Sequence, residues 1–171
     1  YSWTVPDAIG TQVKVKVKKF GTSPPNEVFD VSDANFTIAA PLFTNVTVTP
    51  PSGEIEYFVG DTAGLSWTWI GSLKGNIKIS YTDGSTWWTV AGAGALANTD
   101  TSYNWTIPSN AVSTNLAKIK IEDTDSGRAA STGQSSTFTV KAQPAITINS
   151  PTGTPNWRVG KSYTISWSAS N

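Results

Sequence analysis

The chain has no cysteine, no histidine and no methionine. The first two absences exclude a His/Cys zinc site, an imidazole-ligated haem, an iron–sulfur cluster, a Ser-His-Asp triad and a Cys-His dyad. Charge is also scarce. Twelve Lys and Arg balance twelve Asp and Glu, and charged residues make up 14% of the 171. That balance removes the basic footprint of a nucleic-acid binder or a polybasic membrane-surface protein. No apolar run approaches the length needed to span a bilayer. A chain that starts at Tyr1 and lacks Met reads as a processed product or a window of a longer protein. Lacking the residues most easily oxidised or captured by metals suits exposure outside a cell, so the expected location is extracellular or the cell surface.

What the chain does have is Ser and Thr in abundance, 14 Gly, 10 Pro and 8 Trp. It also repeats itself. Tyr1-Ser2-Trp3-Thr4-Val5-Pro6 returns 102 residues later as Tyr103-Asn104-Trp105-Thr106-Ile107-Pro108, and Phe36-Thr37-Ile38 returns at the same shift as Phe138-Thr139-Val140. At a shift of 100, Val46-Thr47-Val48 returns as Ile146-Thr147-Ile148, Pro51-Ser52-Gly53 as Pro151-Thr152-Gly153, and the stretch from Val59-Gly60 to Ser66-Trp67 as Val159-Gly160 to Ser166-Trp167. A period of about one hundred residues is the size of one β-sandwich. The expected organisation is the second half of one repeat over 1–40, a whole repeat over 43–141 and the opening of a third over 144–171. Pro41 and Pro144 sit in the matching short linkers, where they discourage strand pairing across the joint.

Within a repeat the hydrophobic period is two. Val13-Lys14-Val15-Lys16-Val17-Lys18, Ile77-Lys78-Ile79-Ser80-Tyr81 and Lys118-Ile119-Lys120-Ile121-Glu122 all alternate, and turn signals such as Thr82-Asp83-Gly84-Ser85, Asp125-Ser126-Gly127 and Pro51-Ser52-Gly53 separate such stretches. The central repeat reads as strands near 44–49, 55–59, 62–69, 75–81, 86–91, 101–107, 116–122 and 134–141. The expected fold is therefore all-β, an antiparallel two-sheet sandwich with Trp67, Trp105, Phe138, Ile119 and Ile121 in its core.

The run Ile146-Thr147-Ile148-Asn149-Ser150-Pro151-Thr152-Gly153, followed by Trp157-Arg158-Val159-Gly160 and Ile165-Ser166-Trp167, resembles the opening of tandem Ig-like repeats of microbial cell-surface proteins. It is also similar to the Ser/Thr-rich domain of fungal cell-wall glucan-assembly proteins. Tyr81-Thr82-Asp83-Gly84-Ser85-Thr86-Trp87 and Tyr103 to Pro108 resemble the middle strand and the aromatic strand of such repeats. Tyr57 stands at the usual Trp position, and Ala91-Gly92-Ala93-Gly94-Ala95-Leu96-Ala97 is an insertion. The resemblance implies tandem Ig-like sandwiches and a surface setting; it implies no activity.

Candidate chemistries are few. Asn35, Asn45 and Asn104 each begin an Asn-x-Thr glycan acceptor pattern, and strand alternation puts Asn104 on the face opposite Trp105. Glu54 with Glu56, or Asp123 with Asp125, are the carboxylate pairs nearest to a general acid and base. Asp30, Asp33, Asp123 and Asp125 are the oxygen donors a calcium ion would use. Solvated surface acids explain both sets more simply, so the chain is read as a non-enzyme without a cofactor. Trp87 and Trp88 are adjacent and must face opposite ways on a strand, one expected in the core and the other exposed or covered by a neighbour. Together with Trp69 and Tyr81 they are the candidate side chains for an interface or for stacking on a sugar ring. Lys14, Lys16 and Lys18 read as a charged guard on a solvent face.

The functional expectation is a structural subunit or repeat segment of an extracellular filament, stalk or surface layer, carrying glycans and joined head to tail to copies of itself or to further repeats. The competing expectation is a carbohydrate-binding or adhesive module using exposed Trp.

Overall fold

A computed structural model describes residues 1–21, 25, 27–51, 56–125 and 131–170. The expected turns at Ser52-Gly53 and Ser126-Gly127, the start of the 55–59 strand at Ile55, and Glu54 lie outside the described residues. Among the described residues fifteen strands follow one another in the order β1 (Gly10–Val13), β2 (Lys16–Lys18), β3 (Phe29–Val31), β4 (Phe36–Ile38), β5 (Leu42–Thr49), β6 (Tyr57–Phe58), β7 (Thr62–Ile70), β8 (Ile77–Thr82), β9 (Trp87–Thr89), β10 (Ser102–Thr106), β11 (Thr114–Asp123), β12 (Thr132–Gln134), β13 (Phe138–Lys141), β14 (Ala145–Ser150) and β15 (Ser166–Ser170). The fold is all-β, and the described residues include no helix.

β5 to β13 form the central body. One sheet has the order β10-β7-β5; the other has β6-β13-β11-β8-β9, with β12 also paired to β11. All these pairings are antiparallel except that of β6 with β13. Alternation decides which side chains go inside. Ala63, Leu65 and Trp67 of β7 are buried, as are Ile77 and Ile79 of β8 and Ala117, Ile119 and Ile121 of β11. Removing each such Ile or Leu from water stabilises the fold by about 1.5–3 kcal/mol. The two sheets meet through rings: Trp105 of β10 lies 5.4 Å from Tyr81 and 6.2 Å from Phe138. Of the expected core residues, Trp67, Trp105, Ile119 and Ile121 are buried, while Phe138 is half-buried at the margin.

Two local devices shape the body. The β8–β9 hairpin turns on Asp83-Gly84, where the Asp83 Oδ1 accepts hydrogen bonds from the Ser85 N–H (2.9 Å) and hydroxyl (2.8 Å), and Gly84 has φ 105°. These bonds hold the Asp83 carboxyl below its ordinary pKa. The second device interrupts the expected 134–141 strand. β12 and β13 are separate because Ser135 leaves the ladder: its hydroxyl accepts from the Ile119 N–H at 3.0 Å while its own N–H donates to the Ile119 carbonyl. β11 thus pairs first with β13 and then, after a register shift, with β12. The Ala91–Ala97 insertion follows the edge of β8, with Ile79 N–H donating to Ala93 O and Ile77 exchanging two hydrogen bonds with Leu96.

Outside the central body, β1 pairs with β4, β2 with β3, and β14 with β15. The Val13–Lys18 alternation, expected as a single strand, is split between β1 and β2.

Candidate functional site

The small N-terminal sheets reproduce the β11–β13 part of the central body. β1 meets β4 through Gly10↔Ile38 and Val13↔Phe36, as β11 meets β13 through Thr114↔Val140 and Ala117↔Phe138. Past a register shift, Lys16–Lys18 pairs with Phe29–Val31, as Lys120–Glu122 pairs with Thr132–Gln134. The break even carries the same residue. Ser32 accepts from the Val15 N–H at 3.3 Å and donates its own N–H to the Val15 carbonyl, as Ser135 does with Ile119. Trp3 meets Phe36 edge to face at 6.3 Å, as Trp105 meets Phe138 at 6.2 Å.

Cover is what differs. Trp105 is 2% exposed and its counterpart Trp3 is 48% exposed. Ile107, Ile119 and Ile121 are buried; their counterparts Val5, Val15 and Val17 are exposed. A concavity of about 880 Å³ opens over this face, lined by Tyr1, Trp3, Val13, Val15, Val17 and Ile38 among others. The β14–β15 hairpin has the complementary deficit. Trp67 is 1% exposed and its counterpart Trp167 is 62% exposed, with Ile146, Ile148 and Ile165 also in solvent. Exposed apolar patches of this size mark interaction surfaces.

The aromatic candidates do not converge. Trp69 lies against Phe43 at 6.4 Å and is half-buried. It is six residues along β7 from Ala63, which pairs with Trp105, so it sits about 20 Å from the Tyr81 end of the body. Trp87 and Trp88 do face opposite ways, yet neither is in the core: they are 38% and 40% exposed. β9 is an edge strand of its sheet. Trp88 leans on Tyr81 at 5.2 Å and 30° beside a cleft of about 230 Å³, whereas Trp87 lies on the outer face with the Lys120 ammonium 4.8 Å from its ring centroid.

Three of the acidic candidates, Glu56, Asp123 and Asp30, have carboxylates engaged within the fold. Glu56 is ion-paired with Lys141. Asp123 is buried and accepts from the N–H groups of Gly75 (2.9 Å), Asp125 (3.0 Å) and Lys74 (3.4 Å), tying the β7–β8 loop to the end of β11. Asp30 Oδ1 accepts from the Val31 N–H, and the Asp33 carbonyl accepts from Lys14. Among the described residues no three acidic side chains gather where a metal ion could sit, so the four calcium candidates are not brought together. Lys16 and Lys18 pair with Glu27, whose carboxyl is held below its ordinary pKa chiefly by the hydrogen bond from Lys18.

Asn35, Asn45 and Asn104 are all exposed. Asn45 occupies the bulge of β5 with φ 50° and donates its side-chain amide to the Thr68 hydroxyl at 3.1 Å, so the nitrogen that would carry a glycan is engaged. Among the described residues no helix is long and apolar enough to cross a membrane. No protein-family model matches the chain, and no curated protein matches it.

The uncovered faces were signalled in the sequence by the hundred-residue repeat. Their individual residues were not, because the shift widens to 104 where Val13–Lys18 corresponds to Ala117–Glu122. The paired serines were missed altogether; their signal is a Ser a few residues before each Phe-Thr strand.

Proposed function

We propose that this chain is a segment of an extracellular or cell-surface structural protein built from tandem Ig-like repeats, with boundaries near 1–40, 43–141 and 144–171, which joins head to tail into a filament, stalk or layer. The observation that carries the reading is the matched pair of half-repeats, each with the apolar face that is buried in the central body left in solvent. Such faces demand the other half of a repeat, from the adjoining chain or from a neighbour. The strand order supports the Ig-like assignment: β5, β7 and β10 correspond to strands A, B and E, and β6, β13, β11, β8 and β9 to A′, G, F, C and C′. Exposed Asn35 and Asn104 are the proposed glycan positions. The reading assigns no catalysis.

Negative-stain electron microscopy with light scattering on the purified chain tests the assembly. Regular head-to-tail particles that lengthen with concentration are expected, and discrete monomers at every concentration would overturn it. Antibody labelling of intact source cells tests the location.

A carbohydrate-binding reading has one observation in its favour, the Tyr81–Trp88 pair beside its cleft. A tilted aromatic pair at an open edge offers one stacking place for a sugar ring. Retention on insoluble polysaccharide that is lost in Trp88→Ala would support it.

A further inference from the structure

The larger sheet of the central body has an outer face that the fold itself does not use. Ile119 and Ile121 of β11 turn into the core, so Lys118, Lys120 and Glu122 turn outward. The pairings Lys118↔Thr82↔Trp87 and Lys120↔Ser80↔Thr89 set two rows of side chains across β11, β8 and β9, and Lys78 faces Glu122 in the next row. Three lysines to one carboxylate make this face basic on a chain whose charges sum to zero. The lysines differ in what they already hold. Glu122 takes Lys120 at 3.1 Å and Lys78 at 3.7 Å, and the Lys120 ammonium also lies 4.8 Å from the Trp87 ring centroid. Lys118 has no ion-pair or hydrogen-bond partner among the described residues. It lines an open concavity of about 370 Å³ together with Trp87, Leu116, Gln134, Thr137 and Ser85 among others. The Gln134 amide and the Thr137 hydroxyl likewise have no partner among the described residues. One indole ring, one unpaired ammonium, an amide and two hydroxyls thus border the same hollow.

We propose that this concavity binds a polysaccharide bearing carboxylate groups, with a sugar ring stacked on Trp87 and its carboxylate on the Lys118 ammonium. Two strand spacings, about 10 Å at the backbone, separate Trp87 from Lys118, and the long lysine side chain spans part of that distance. Lys120 stands in the neighbouring row and does not line the concavity, so its contact orients the ring while leaving the concavity side of Trp87 to a ligand. A ring held in place before binding lowers the ordering cost. Charge selects the ligand class: a neutral sugar would leave the Lys118 ammonium unused, and nucleic acid calls for many free cations where this hollow has one. A peptide strand would add to a sheet edge, and this is a sheet face. The site lies on the opposite side of β9 from the Tyr81–Trp88 cleft, and it stands whether or not the chain assembles head to tail.

Surface plasmon resonance of the whole chain on immobilised polygalacturonate, alginate and hyaluronate tests it, with fully methyl-esterified polygalacturonate as the same polymer without charge. The expected result is binding to at least one acidic polymer, weakening as salt is added, and loss on esterification where polygalacturonate is the ligand. Trp87→Ala and Lys118→Gln should each weaken binding roughly tenfold or more. Trp88→Ala, on the other face of the strand, and Lys161→Gln, which removes the same charge from an exposed position elsewhere, should leave it unchanged. Circular dichroism checks that each variant folds. Equal binding to the charged and esterified polymers, lost in Trp87→Ala, would overturn the acidic ligand in favour of a neutral sugar. Binding lost in Trp88→Ala but kept in Trp87→Ala would move the site to the cleft beside Tyr81. Losses as large in Lys161→Gln as in Lys118→Gln would reduce it to bulk charge, and no binding to any of the three acidic polymers would remove it.

Discussion

The Ser135 hydroxyl accepts a hydrogen bond from the backbone N–H of Ile119 at 3.0 Å, in a buried position where the β11 ladder changes partner. The side chain stands in for the carbonyl that a continuous strand would have presented. Ser135→Ala leaves the Ile119 N–H without an acceptor in the core, which costs about 1–3 kcal/mol. Urea unfolding followed by Trp fluorescence measures it. Ser32→Ala should cost clearly less, because the equivalent Val15 is exposed and water replaces the hydroxyl; equal losses at the two positions would refute this account of the break.

Gly75→Ala tests the Asp123 bridge. A Cβ at Gly75 would run into the Asp125 backbone nitrogen and the Asp123 Oδ1, so the loop must move away from the carboxylate that binds it. A loss of about 2 kcal/mol or more is expected by chemical denaturation. Gly153→Ala is the comparison: its Cβ meets nothing within 4 Å, leaving only the strain of its φ of 73°. A Gly75 substitution as mild as that one would mean the bridge contributes little.

Burial raises the pKa of Tyr57, and burial with the nearby Asp83 carboxylate raises that of Tyr81. A raised folded-state value means folding favours the neutral phenol. The stabilisation is therefore complete below the unfolded tyrosine pKa of about 10 and is lost as pH rises through the higher folded value. Tyrosinate absorbance should include a late component in the folded chain that merges with the rest in denaturant. Tyr57→Phe and Tyr81→Phe should each reduce that component. If neither does, burial of these phenols is not what delays ionisation.

Trp87 and Trp88 separate the two functional readings. Trp88→Ala should abolish polysaccharide retention if the Tyr81–Trp88 edge binds sugar, and should leave head-to-tail assembly intact, since the ring belongs to the central body and not to a half-repeat. Trp87→Ala removes only an exposed ring with a cation beside it, and a stability change below about 1 kcal/mol is expected. Loss of assembly in Trp88→Ala would move the contact between copies to β9.

The strands and their inward faces were legible because period-two alternation is a local property: Ile77, Ile79, Ile119 and Ile121 point inward as their spacing requires. What escaped depends on partners. Tyr1–Pro6 has nearly the sequence of β10 yet forms no strand, since pairing belongs to β7 as much as to β10. Trp88 leans on Tyr81 yet stays 40% exposed, because it borders an open cleft at the edge strand β9. The split at Ser135 leaves no trace in the hydrophobic pattern, because a hydroxyl replaces a carbonyl without altering the alternation. Asp123 read most simply as a solvated surface acid, whereas it is buried and accepts from three N–H groups of the chain.

Among the described residues the central body has one parallel pairing, that of β6 with β13, and such a pairing bears on how a sandwich would respond to pulling. β6 lies near the beginning of this unit and β13 at its end, joined through Val140↔Tyr57, Lys141↔Phe58, the Val59 N–H to Lys141 O bond and the Lys141–Glu56 ion pair. In the tandem arrangement proposed above, tension carried along the chain would draw the two strands past each other lengthwise. Their bonds are then loaded in shear and must fail together, whereas an antiparallel hairpin pulled open from its ends peels apart one bond at a time.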